Sequence, residues 1–248
     1  MNIILFDRAE LPPDGELQLG GADHRAMHLL QVLRVKVGAR IRVGVLDGPR
    51  GEAEVIAIDG RAVTLRCRCD EPPLPLGPDT LLLAFARPKV VSRCLEHATA
   101  LGFGRIVLFR SRRVEKSHLS SHAIEAQAID ERLRRGLEQS RRTMRPSVHQ
   151  VGRFRELVER ELDRLVPRDN RFLADADAAD EAALTEPSAA PLSLVIGPEG
   201  GLIPYELEQL AACGFQLVRA GREPLRVETA LSYLTGQLRA AQARSTRG

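Results

Sequence analysis

Lysine is nearly missing from this chain. It stands only at positions 36, 89 and 116, so 33 of the 36 basic residues are arginine. Against 33 acids the formal net charge is only +3, too small an excess to establish a polyanionic partner by itself. Long apolar runs are also lacking: the longest, Leu81 to Ala86, falls far short of the roughly 20 residues that cross a bilayer. The first eight residues already carry Asp7 and Arg8, so there is no apolar core of a secretory signal. The expectation is a soluble, cytoplasmic protein with no membrane partner. Cysteine occurs four times, at 67, 69, 94 and 213, with no CxxC pair. Cys67 and Cys69 lie two apart in a strand-like run and so face the same side, which suits core packing better than metal or disulfide chemistry. His118 and His122 have helical spacing but no third ligand nearby, and no metal is expected. With 44% apolar and 28% charged residues, the composition is globular and excludes global disorder.

Arginine is the planar, bidentate partner of phosphate and stacks on bases, whereas lysine is a point charge. A GC-rich genome would also enrich arginine, so its distribution says more than its total. Arg132 to Arg145 holds six arginines and one acid, Glu138; Arg105 to Lys116 holds five basic residues and one acid, Glu115. Each fits either a solvated helix face or a phosphate track.

The 248 residues allow one large or two modest domains. The boundary falls at 71–79, where prolines at 72, 73, 75 and 78 make a stiff connector that continues neither helix nor sheet. Before it (1–70), strands are predicted over Ala39–Leu46, Glu52–Ile58 and Ala62–Cys69, with Asp47-Gly48 and Asp59-Gly60 as turns. This is a small antiparallel β domain, read as a barrel. Ahead of it Asp23 caps a short helix that should turn Leu29, Leu30 and Leu33 inward and leave Arg25 and Arg34 outside. After the linker (80–248), apolar strands at Thr80–Phe85, Ile106–Phe109, Ser147–Val151, Arg171–Ala174, Leu192–Ile196 and Phe215–Val218 alternate with amphipathic stretches at Val91–Leu101, Ser121–Gln139, Phe154–Leu165 and Tyr205–Cys213. That alternation predicts an α/β domain with a mostly parallel sheet covered on both faces. Its ligands should bind beyond the carboxyl ends of strands, after Ala174, Ile196 and Val218. Asp175 to Pro191 reads as a solvated loop. In the last helix, Leu231, Leu234, Leu238 and Ala241 share one side, which serves either internal packing or a dimer face.

Two loops carry the chemistry. Leu194 to Glu206 reads LVIGPEGGLIPYE: a buried strand enters a turn of three glycines around Pro198 and Glu199, and a helix begins near Pro204. Without Cβ atoms, such a turn lets main-chain groups approach a flat ligand. It is neither a phosphate-binding P-loop nor a dinucleotide turn. Ala220 to Ala230, AGREPLRVETA, repeats the strand, glycine turn and helix. Thr229 or Glu228 could simply cap that helix, but the two loops together make a pocket.

IGPEGG at Ile196–Gly201, with Glu206 beyond it, LRVETA at Leu225–Ala230, EQSRR at Glu138–Arg142 and HLLQVLRVKVG at His28–Gly38 resemble the ribosomal RNA small subunit methyltransferase E family of the SPOUT methyltransferases. The resemblance implies a PUA-like β-barrel followed by a SPOUT α/β domain with a trefoil knot, and a homodimer. It implies S-adenosylmethionine as cofactor and N3 of a uridine in small-subunit (16S) ribosomal RNA, naked or in the 30S subunit, as target. Transferred residue by residue, the cofactor pocket is Leu173, Ala174, Ile196, Gly197, Glu199, Gly200, Gly201, Leu217, Leu225, Arg226, Glu228 and Thr229. Gln139 and Arg142 would face RNA or the methyl group, and Arg34 matches the basic end of the first helix; Arg8 and Arg25 join them as RNA-binding candidates. Ala100 before Leu101-Gly102, and Arg135-Gly136 before Glu138, depart from the family pattern.

Uridine N3 is a weak acid, so its lone pair must be exposed by proton removal or by stabilising the resulting anion. Positioning should supply most of the acceleration. Arg226 and Arg142 are the candidates for holding the anion, and Glu228 or Glu199 for accepting the proton. Two other readings stay open: a non-catalytic RNA-binding or ribosome-assembly module, and a SPOUT methyltransferase acting on a different atom.

Overall fold

The computed structural model describes residues 1–115, 122–178, 189–221 and 223–245. Lys116, His118, Ser121, Arg222 and the middle of the expected 175–191 loop lie outside the described residues. Two compact units emerge: Met1–Pro75 with Arg134–Arg145, and Leu76–Leu133 with Pro146–Gly248. The proline-rich stretch holds one junction. A second falls inside a helix, between Leu133 and Arg134, where no change of composition announces it, and a third between Arg145 and Pro146.

In the first unit five strands form one curled sheet in the order β1 (Ile4–Phe6), β3 (Arg40–Val45), β4 (Arg50–Asp59), β5 (Ala62–Glu71), β2 (Glu16–Leu19). Alternation puts Val43, Val45, Val55, Val63 and Leu65 into its core with Phe6, Leu17 and Leu19. Both turn signals are used: Asp47 (φ 55°) and Gly60 (φ 57°) supply the left-handed residues. The edge strands β1 and β2 are too short to show a period, and they do not pair with each other, so the predicted barrel is a half-barrel. Its ladders are antiparallel except for β1 beside β3.

Asp23 caps α1 (His24–Met27) by accepting from the Arg25 main-chain N–H at 2.8 Å, and a wide π turn, His28–Val32, follows. Two expectations for this helix are corrected. Leu33 is 50% exposed because the π turn rotates it off the apolar face, while Leu29 is buried. Arg25 is buried, not outside: its guanidinium donates to Asp23 (2.7 Å), Glu10 (2.6 Å) and the Leu5 carbonyl (3.0 Å). It is a structural clamp among α1, β1 and the turn after β1. Burial pushes the Glu10 and Asp23 carboxyls up, but Arg25 outweighs it and holds both below their ordinary range. Cys67 and Cys69 are free and pack on this core, and burial raises the Cys67 thiol to about 12.

The second unit is a six-stranded parallel sheet in the order β11 (Gln216–Val218), β9 (Arg171–Ala174), β10 (Ser193–Ile196), β6 (Thr80–Ala84), β7 (Arg105–Phe109), β8 (Ser147–Val151). β10 lies between β6 and β9, which both precede it in the chain. One face packs on α2 (Pro88–Ala100), α7 (Val227–Ser245) and the start of α3 (Ala126–Ser140). The other packs on α4 (Phe154–Glu156), α5 (Leu162–Leu165) and α6 (Pro204–Ala212). The single helix expected over Phe154–Leu165 is broken by a π turn, Leu157–Glu161, which carries Leu157 and Leu162 into the core. On α7, Leu231, Leu234, Leu238 and Ala241 are all buried within the chain, so of the two uses open to this stripe the structure shows internal packing. Asp79 pins this helix: it accepts from Leu192 N at 2.9 Å and from Arg239 at 2.6 Å.

Removing the Arg25 guanidinium leaves two partly buried carboxylates without their counter-charge. Arg25→Ala should lower stability at pH 7 by about 3–5 kcal/mol. Both carboxyls sit below their ordinary values, so the stabilisation exists above their unfolded range near pH 4 and is lost as pH falls through the folded values. Urea unfolding of both proteins should show the gap between them narrowing from pH 7 to pH 3.

Candidate active site

Because the sheet is parallel, Ala84, Phe109, Ala174, Ile196 and Val218 all end on one edge, and the loops that follow line a cavity of about 900 Å³. This is the size range of a small-molecule or cofactor site. After β10 the chain turns tightly, with Gly201 N donating to Pro198 O at 2.8 Å, and Pro204 opens α6. Glu206, 2% exposed, sets the loop: its carboxylate accepts from Ile203 N at 3.1 Å and, across the edge, from Arg112 N at 2.7 Å. After β11, Gly221 (φ 78°) reverses the chain toward α7.

The glycines of the first loop divide into two kinds. Gly201 has φ 69°, a conformation that side chains rarely adopt, so the turn itself requires it. Gly197 and Gly200 have no such demand. A Cβ at Gly197 would meet Leu202 at 3.4 Å and one at Gly200 would meet Arg113 at 3.6 Å, both ordinary contacts. The protein has room for side chains there, yet the main chain stays bare toward the cavity.

Charge around the cavity is balanced but unevenly tied. Glu228 bonds Arg93 at 3.1 Å, and its own main-chain N–H at the start of α7, then Arg93, hold its carboxyl below the ordinary range against the upward push of burial. Glu199 accepts from Arg87 N at 3.2 Å. Asp175 and Asp177 add two further carboxylates to the wall. The lining is therefore able to face a cation on its acidic side.

Of the sequence-derived cofactor residues, Ala174, Ile196, Gly197, Glu199, Gly200, Gly201, Leu225, Arg226 and Glu228 line this one cavity. Leu173 is buried in the core beneath it, while Leu217 is exposed on β11 and Thr229 is exposed on α7; none of these three reaches the wall. Arg8, Arg25, Arg34, Gln139 and Arg142 belong to the first unit. There Arg8, Arg34 and Gln139 are exposed, Arg34 in a left-handed conformation (φ 51°), and Arg142 donates to Pro75 O at 2.8 Å. Sequence reasoning missed Arg87 and Arg93 after β6, Arg113 after β7, and Arg219. The rule that ligands sit beyond strand ends would have found the first three, had it been applied to every strand of the sheet.

Gly200→Ala should fold with its melting temperature unchanged within about 2 °C, since the added methyl meets only ordinary contacts. Gly201→Ala should lose roughly 1–2 kcal/mol from the left-handed penalty. Glu206→Ala orphans two main-chain N–H groups and should cost about 2–4 kcal/mol. Thermal and urea unfolding of the three variants tests this order.

Comparison with known proteins agrees with this architecture. Residues 72–239 match the family model described as RNA methyltransferase domain, and residues 22–66 match that of the RNA methyltransferase PUA domain. The chain is 29% identical over 241 residues to ribosomal RNA small subunit methyltransferase E of Treponema pallidum, covering 93% of this chain and 87% of that protein. The protein of the same name from Mycobacterium bovis is 26% identical over 248 residues, 95% and 91% of the two chains. Among solved structures, ribosomal RNA small subunit methyltransferase E from Neisseria gonorrhoeae, bound to S-adenosyl methionine, shares the fold with a TM-score of 0.67 at 23% identity, covering 99% of this chain and 97% of that one. With most of its length matched by the model, this chain belongs to the RNA methyltransferase domain family and carries the family's PUA domain.

Proposed function

We propose that the protein is an S-adenosylmethionine-dependent methyltransferase acting on N3 of a uridine in small-subunit (16S) ribosomal RNA, and that it works in the cytoplasm as a homodimer. The observation that carries the reading is the cavity with two unforced glycines, Gly197 and Gly200, bare toward its interior. A flat cofactor fits against main chain that a Cβ would block, and the neighbouring carboxylates suit a positive sulfonium. Gly197 to Gly201 and Leu225 to Glu228 would hold the cofactor; when bound it supplies an electrophilic methyl group that needs no acid help on leaving. The names of the most similar relatives support ribosomal RNA as the substrate class. The insertion of β10 between β6 and β9 supports the knotted path implied by the resemblance.

This chain's own residues then have two tasks: to expose the N3 lone pair and to hold the acceptor in line. Arg226, exposed at the cavity wall, is assigned the task of stabilising the anion on the base oxygens. Of the two candidate proton acceptors, Glu228 is tied to Arg93 at 3.1 Å, and its carboxyl is held below its ordinary range by its own main-chain N–H and by Arg93, which suits a fixed charge better than a base. Proton removal falls to Glu199, and Glu228 serves as a fixed negative wall. Arg142, engaged with Pro75 O, is assigned to RNA contact in the first unit.

Incubation with 30S subunits and with naked 16S RNA from cells lacking the enzyme, followed by nucleoside mapping, should show one new N3-methyluridine. A methyl group on ribose or on another base would reassign the target atom, and no transfer at all would leave an RNA-binding module. Glu199→Gln should slow single-turnover transfer by roughly 10²-fold, and Glu228→Gln should slow it less. Sedimentation should give twice the 27.3 kDa of one chain; a 27.3 kDa species contradicts the dimer.

A further inference from the structure

Five arginines face the cavity, and their partners separate them. Arg87 and Arg93 stand beside the carboxylates of Glu199 and Glu228, so their charge is compensated. Arg113 differs. It lies on the loop after β7, is exposed, and donates from Nη1 to the Gly200 carbonyl at 2.6 Å. Among the described residues no carboxylate lies within ion-pair distance of it. Its aliphatic stem rests on the same turn, with Cδ 3.6 Å from where a Gly200 Cβ would stand. The main chain beside it is fixed as well, since the buried Glu206 carboxylate holds Arg112 N on one oxygen and Ile203 N on the other. The fold has immobilised a guanidinium at the cavity wall by a neutral acceptor. Among the described residues its charge has no carboxylate partner, and it keeps further N–H groups beyond the one bound to Gly200.

An anchored cation with an uncompensated charge and spare donors in a fork is a receptor for an anionic oxygen. We propose that Arg113 is a substrate-binding residue, holding an anionic oxygen of the RNA against the glycine turn, and that Glu206 is the positioning residue that fixes its loop. The oxygen belongs either to a phosphate flanking the target nucleotide or to the target base as its N3 proton leaves. This inference rests on the reading of the chain as an RNA methyltransferase.

The test compares full-length wild type, Arg113→Ala and Arg113→Lys in calorimetry with S-adenosylmethionine and in single-turnover transfer to 16S RNA. Arg113→Ala should bind the cofactor within about twofold of wild type and transfer methyl at least about tenfold more slowly. Arg113→Lys should recover part of the rate, because the charge returns without the fork. A phosphate partner would show as a higher KM for RNA and a salt slope smaller by about one; a base oxygen would show as a lower kcat with a pH–rate midpoint moved upward. Either result supports the assignment. Unchanged transfer by Arg113→Ala overturns it, as does a loss of cofactor affinity equal to the loss of rate, which would make Arg113 only a brace for the turn. A wild-type chain that binds the cofactor but methylates no RNA removes the functional reading itself, whereas an active wild type with an indifferent Arg113→Ala removes the inference alone.

Discussion

Everything at the cavity depends on the parallel order of one sheet. An antiparallel neighbour would have sent its loop to the opposite edge. With β11, β9, β10 and β6 all pointing the same way, four successive turns meet at their carboxyl ends, and two of them are made of backbone with few side chains. Those turns gain rigidity from charges drawn out of solvent: Glu206 beneath the first loop, and Asp79 with Arg239 along the helix that follows the second.

Two conflicting requirements meet in the glycine turn. A ligand cradle must be bare, yet bare backbone is floppy, because glycine gives up more freedom on folding than any other residue. Proline at 198, the 2.8 Å bond from Gly201 N to Pro198 O and the buried carboxylate of Glu206 together oppose that freedom. Glu206 acts from outside the cavity lining, so its hold on the loop leaves the inner surface open.

Much of this was legible in the chain. Strands long enough to show alternation, such as β4 and β5, and turn pairs such as Asp59-Gly60 marked the antiparallel β domain, though as a barrel and not the half-barrel found. Apolar strands separated by amphipathic helices marked the parallel sheet, and the two glycine loops marked the cavity. What stayed hidden was geometric. The three- and four-residue edge strands β1 and β2 are too short to carry a period, and a π turn put Leu33 outside. Arg25 looked like a surface cation, because nothing local announces that Glu10, fifteen residues earlier, folds back to meet it. Arg113 and Glu206 are linked across more than ninety positions through the Arg112 main chain. Pairings of that span emerge only from the tertiary fold.

The central claim is that unencumbered main chain at the carboxyl edge of the parallel sheet receives a sulfonium cofactor. A crystal structure of the protein grown with S-adenosylmethionine tests it most directly. The cofactor is expected between the turn at Gly197–Gly201 and the loop that leads into α7, with main-chain groups at Gly197 and Gly200 in contact with it. Cofactor bound elsewhere, or side chains filling that space while the cofactor is absent from it, would contradict the account.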